Sequence, residues 1–238
     1  MTRNDFLSTL TPPQKRSLGE DVVDRLRDAI CSGQLPPNER LREEALSEFL
    51  QVSRGPIREA LSQLEREGLV IREPNRGATV ARLSYEDLEE IYSLRMALER
   101  LAVQKAIEHA SAAHLAQMQG IVDRMAEALS RGITGQEAAT LDLAFHEVIY
   151  QASKNKRLYE FWSVLRPQIH IFLLTRNVAN SDFRDHLLIS HSAILDAIRD
   201  KDEVRALATI EDHLQGSYKR VLISYTQATK QADGVART

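Results

Sequence analysis

The sequence is poor in the features that mark several protein classes. Its 238 residues include one cysteine, Cys31, which excludes an internal disulfide framework and suits a reducing compartment. Aromatic residues make up only 5%, while Leu, Ala, Arg and Glu dominate, a balance that favours helix. No apolar run approaches a membrane span: the longest lies around Ile169 to Leu174. The stretch from Met1 to Leu7 has no apolar core for a signal peptide, so the expectation is a soluble, cytoplasmic protein with no membrane partner. Charge of one sign is missing too. The net charge is −3 and the pI about 6.2, whereas isolated DNA-binding domains are often strongly basic. Residues 1–83 hold 13 basic and 13 acidic side chains, yet Arg54 to Arg82 holds six Arg against four Glu. Any positive surface must therefore be local.

What is present is periodicity. Residues 1–16 contain Thr11-Pro12-Pro13 and no pattern, and read as a flexible tail. Val22, Val23, Leu26, Ala29 and Ile30 repeat at helical spacing, and Ser32-Gly33 followed by Pro36-Pro37 ends that helix. A second helix carries Leu46, Phe49 and Leu50 on one face. After Gln51-Val52, Ser53 is a good N-cap and Pro56 suits the first turn of a third helix through Ile57, Ala60, Leu61 and Leu64. Residues 69–72 and 78–81 then read as two short strands around a loop. This order predicts a winged helix-turn-helix over 17–83. Past Ser84 only helical periodicity remains, with breaks that define six helices near 85–109, 112–130, 136–152, 156–176, 182–199 and 203–228. The expected fold is mainly α: the winged helix followed by an all-α bundle over 84–230.

In a helix-turn-helix the second helix enters the major groove with its first residues against base edges. Arg54 starts that helix and Arg58 lies one turn on. Arginine suits a bidentate contact with guanine, Gly55 lets the backbone approach phosphate, and the free first-turn N–H groups attract it. Arg42, Ser53 and the hairpin tip Asn75-Arg76-Gly77 complete the candidate contacts. The plain alternative is a solvated arginine face. The run Val52-Ser53-Arg54-Gly55-Pro56-Ile57-Arg58-Glu59-Ala60-Leu61, with Leu64, Glu67-Gly68-Leu69-Val70 and Asn75-Arg76-Gly77, resembles the DNA-binding domain of GntR-family bacterial transcription regulators. Two departures stand out: Glu44 where the family often has Arg or Lys, and Asn38 for a common turn glycine.

In the second half, four polar residues stand on apolar stripes. Asp142 and His146 are i, i+4; His191 lies among Leu187, Ile194, Leu195 and Ile198; His213 neighbours Ile210 and Leu214. Each alone is more simply a hydrogen-bonded core residue. Together, three imidazoles and a carboxylate from three helices suit a divalent transition metal, Zn²⁺ first and Ni²⁺ or Mn²⁺ next. The set resembles the metal-site signature of the FadR subfamily's helical effector domain, called FCD, and six helices resemble its shorter, VanR-like branch. Leu94-Arg95, Leu98-Glu99, Phe145-His146, Asn155 and the run from His191 to Asp202 match as well, while Ser190 replaces a frequent Glu. The resemblance implies a dimeric regulator, with a repressor the commoner case. It would bind palindromic double-stranded DNA and respond to a small organic acid. Arg95, on the stripe of Leu88, Ile91, Leu98 and Ala102, either pairs internally with Glu99 or anchors an effector carboxylate; Asn155, Arg166, His170 and Arg176 are weaker pocket candidates. Two other readings stay open: a metal-dependent hydrolase, with no visible general base, and a regulator for which the metal itself is the signal.

Overall fold

The computed structural model describes residues 18–73, 77–179 and 182–235, with side chains to Leu174 in the second stretch and to Ile223 in the third. The tail expected over 1–16 and the loop residues Asn75 and Arg76 lie outside the described residues. Helix α1 (Leu18–Cys31) turns its stripe of Val22, Val23, Leu26 and Ile30 onto α3 (Arg54–Arg66), which answers with Ile57, Ala60, Leu61 and Leu64. These four α3 residues are fully buried, and this fixes the opposite face of α3, with Arg54 and Arg58, in solvent. Between them stand β1 (Arg40–Leu41) and α2 (Glu43–Leu50). Strands β2 (Val70–Glu73) and β3 (Gly77–Val80) form the wing.

The wing differs from the expected two-stranded hairpin. Strand β1 pairs antiparallel with β3, Arg40 opposite Thr79, so the sheet runs β1-β3-β2. Two residues are too short for periodicity to mark. Asn38, at φ 68°, makes the preceding turn in the left-handed region that Asn tolerates. A second expectation is corrected: Phe49 does not share the inward face of α2 but is 85% exposed, while Leu46 and Leu50 are half-buried against the core.

Six helices follow: α4 (Tyr85–His109), α5 (Ala112–Ser130), α6 (Gly135–Ala152), α7 (Lys156–Ala179), α8 (Phe183–Arg199) and α9 (Glu203–Val235). Ser84 and Asp87 close a reciprocal capping box that starts α4 only four residues after the wing, and Ser111 caps α5 likewise with His114. Helix α6 lies at the centre, packed on α4, α5 and α7, with eleven of its eighteen residues buried. Trp162 is fully buried and stacks on Tyr150 at 4.5 Å. The two halves touch: Gln168 of α7 donates through Nε2 to the Glu67 carbonyl at 3.1 Å, over Gly68.

Candidate metal centre and nucleic-acid interface

The bundle brings the four predicted ligands together. Asp142 and His146 come from α6, His191 from α8 and His213 from α9, with one donor atom of each lying within 4.8 Å of the others. His146 and His191 are fully buried, and Asp142 is 4% exposed. The surroundings fix the imidazole tautomers. His146 donates from Nδ1 to Glu99 Oε2 (2.8 Å) and His191 donates from Nδ1 to the Leu187 carbonyl (2.6 Å), because both partners accept only. Ser190 gives its hydroxyl proton to the His186 carbonyl (2.7 Å), so its oxygen accepts from His213 Nδ1 (3.0 Å). All three Nε2 atoms are thereby left as lone pairs.

Those lone pairs converge. His146 Nε2 and His213 Nε2 are 3.2 Å apart, and the Asp142 Oδ1 atom is 3.2 Å from His191 Nε2 and 3.6 Å from His213 Nε2. His191 Nε2 is buried with no hydrogen-bond partner. Donors round an ion with bonds of ~2.1 Å stand on the order of 3–3.5 Å apart, so the pairs at 3.2–3.6 Å match a transition metal, and the wider separations, up to 4.8 Å, would close on binding. The electrostatics agree. Burial opposes ionisation of Asp142, but a hydrogen bond from His191 and the positive charge of His146, both present when those rings carry a proton at Nε2, together with the Arg95 guanidinium outweigh it and hold its carboxyl well below the usual range; a metal ion would take the place of those protons. Burial, then His191, pushes His213 well below the ordinary histidine value and keeps it neutral, the form that binds metal.

Arg95 reaches this centre. It is buried, donating from Nε to Glu99 Oε1 (3.1 Å) and from Nη2 to Asp142 Oδ2 (3.4 Å), so the internal pair expected from i, i+4 spacing is present and extends to a metal-ligand candidate. Tyr150 Oη, Trp162 Nε1 and Ser217 Oγ, the last one turn beyond His213, are also buried without a hydrogen-bond partner among the described residues. Asn155 accepts the Leu158 N–H (3.1 Å) and caps α7; Arg166 and His170 line a cleft against α1; the Arg176 side chain is outside the described residues. Sequence reading missed that Glu99 orients His146, 47 residues away in sequence, and that Ser190 supports His213 in place of a glutamate.

On the other unit, Ser53 takes the N-cap position of α3, but its side chain makes no cap bond. Arg42 is exposed at the N-cap of α2, and Gly77 opens β3 at φ +87°. An added Cβ at Gly55 would meet nothing nearer than Ser53 Oγ at 4.0 Å, so the backbone there is open to approach. Arg54 and Arg58 are exposed but not idle: they pair with Glu44 (2.5 Å) and Glu43 (2.7 Å) of α2. The glutamates were unmarked as partners because they sit 10 and 15 residues away.

A helix-turn-helix with a small wing, joined to a helical bundle enclosing a His₃Asp cluster, defines a DNA-binding regulator with a sensory domain. The family comparisons place the chain: residues 18–80 match the bacterial regulatory proteins of the gntR family and residues 90–216 match the FCD domain, so the chain belongs to the GntR-family regulators that carry FCD. It is a transcription regulator, not an enzyme. It is 29% identical to the regulator YdhC of Bacillus subtilis over 80% of this chain and 84% of that one. It is 28% identical to the gluconate operon transcriptional repressor of Bacillus licheniformis, over 92% of each. The solved structure of E. coli McbR/YncC superposes with a TM-score of 0.76 at 26% identity, covering 90% of this chain and all of that one. No described helix is long and apolar enough to cross a membrane.

Proposed function

We propose that the chain is a cytoplasmic, homodimeric repressor that binds a palindromic operator through residues 17–83 and releases it when a small organic acid binds a metal-assisted pocket within residues 84–230. The observation carrying the pocket is the gathering of the Nε2 atoms of His146, His191 and His213 around the Asp142 carboxylate, a buried set of donor atoms of the kind that a divalent cation bridges. Asp142, His146, His191 and His213 would hold the metal, Zn²⁺ or else Ni²⁺ or Mn²⁺, which supplies a Lewis acid for a carboxylate oxygen when bound. Arg95 is the cationic anchor for the effector, and the orphaned donors of Tyr150 and Trp162 are further partners. Asn155 is taken up by its capping bond, and Arg166 by the cleft on α1.

On DNA, Arg54 and Arg58 exchange their glutamate partners for guanine edges or phosphate. Arg42, Ser53, Gly55, Asn75, Arg76 and Gly77 make the surrounding backbone contacts. A second copy is supported by an apolar face where α4 meets α7: Leu94, Phe161 and Val164 are 50%, 64% and 55% exposed around a groove that Leu98 and Leu165 also line. The test is selection of bound fragments from genomic DNA at about 150 mM salt, because affinity without a stated salt has no meaning. One enriched palindrome, lost with Arg58→Ala, is expected. Enrichment that survives Arg58→Ala overturns the recognition-helix assignment. Titrating the enriched site with metal alone and then with organic acids separates an effector-responsive regulator from one that senses the ion.

A further inference from the structure

The recognition helix meets acid as well as offering base. Glu43 and Glu44 stand in the first turn of α2, and each pairs with an arginine at the start of α3. The two acids are held differently. Glu43 accepts from Nε, the inner nitrogen of Arg58, at 2.7 Å, and only 30% of its side chain is exposed. Glu44 accepts from Nη2, a terminal nitrogen of Arg54, at 2.5 Å, and 71% of its side chain is exposed. An ion pair this open to water adds little to stability. Its position says more. The terminal nitrogens are the ones that an arginine fork places end-on against guanine, so Glu44 lies one hydrogen bond away from the base edges that Arg54 can reach.

Once Arg54 turns to DNA, Glu44 loses its partner and faces a surface of phosphates. A carboxylate only accepts, and in the major groove the donors open to it are the amino groups of cytosine N4 and adenine N6. The major-groove edge of a G·C pair shows, in order, two acceptors (guanine N7 and O6) and one donor (cytosine N4). Arg54 and Glu44 side by side present two donors and one acceptor, the complement of that edge. We infer that Glu44 is a specificity-determining residue, accepting from cytosine N4 while Arg54 takes the guanine of the same base pair. An A·T pair in that place sets its adenine amino group against Arg54 and thymine O4, an acceptor, against Glu44. Both contacts are then lost, and the carboxylate acts as a rejecting element. The inference rests on the recognition-helix reading above.

Selection from randomised duplexes at about 150 mM salt tests it, with the Zn²⁺-loaded full chain, Arg54→Ala and Glu44→Ala, followed by fluorescence anisotropy on the selected site. The parent is expected to demand one G·C pair in each half-site that both variants relax. For Glu44→Ala the loss of discrimination should be about tenfold, the scale of one hydrogen bond to a charged group, with unchanged thermal unfolding as the check on α2. Replacing only the cytosine of that pair by 2-pyrimidinone, which lacks the amino group, should weaken the parent about as much and leave Glu44→Ala unaffected. An equal gain of Glu44→Ala on every duplex, with all base preferences kept, overturns the inference and leaves Glu44 a mere counter-charge. Relaxation at a pair other than the one lost in Arg54→Ala overturns the shared base pair, as does a parent indifferent to 2-pyrimidinone. In those outcomes Arg54→Ala still loses a preference, so the recognition helix stands. Preferences that survive both Arg54→Ala and Arg58→Ala overturn the recognition-helix reading itself, and this inference with it.

Discussion

At the scale of single residues, the centre depends on atoms that never touch a metal. Glu99 and Ser190 each hold an imidazole Nδ1 so that Nε2 stays bare. Glu99→Gln and Ser190→Ala should therefore each reduce Zn²⁺ affinity about 10–100-fold, measured by competition with a chromophoric chelator. Equal affinity in both variants would mean that packing alone orients the rings. Arg58→Ala should weaken the operator by about 1–3 kcal/mol if the contact is to a base edge, read by anisotropy. Of this site the clustering of Asp142, His146, His191 and His213 was legible in the sequence, because a polar residue on an apolar stripe conflicts with its surroundings and the conflict shows. Glu99 was legible only as a partner for Arg95. Its bond to His146 spans two helices, and periodicity says nothing about which helices meet.

At the scale of elements, long regular ones were readable and short irregular ones were not. The six bundle helices lie where the breaks in apolar spacing put them, with α7 and α9 extending further. Strand β1 escaped because two residues cannot show alternation, and α2 was misread because Phe49 has the spacing of an inward residue in a helix that buries none of its residues fully. The joint between the halves offers a sharp test. A Cβ at Gly68 would lie 2.6 Å from Gln168 Nε2, at a φ of +70°. Gly68→Ala should cost on the order of 1–3 kcal/mol in urea unfolding, from backbone strain and the displaced amide. No loss of stability would show that the joint opens freely.

At the scale of the whole molecule, two conditions set stability. A metal bound only by the folded chain adds to it, so a chelator should lower the melting temperature, by more as the free metal that it removes had exceeded Kd. Burial, then Arg166, lowers the pKa of His170 to about 4, against an ordinary value of 6.5. The unfolded chain takes up this proton first, so the contribution is complete above pH 6.5 and falls as the pH drops from 6.5 to about 4. Urea midpoints across that window should slope less in His170→Asn than in the parent, and parallel slopes would assign the loss to other groups. Helix α4 has a further consequence. It begins four residues after the wing, and Arg95 and Glu99 stand partway along it at the His₃Asp cluster. From Glu99 back to its start is roughly 22 Å. A rigid rod of that length turning by ~10° about the centre sweeps its near end by roughly 4 Å, slightly more than the ~3.4 Å rise of one base pair. A rearrangement among the four cluster residues that tilted this rod by that angle would acquire, through leverage alone, the step size of the DNA ruler that an operator-binding protein has to match.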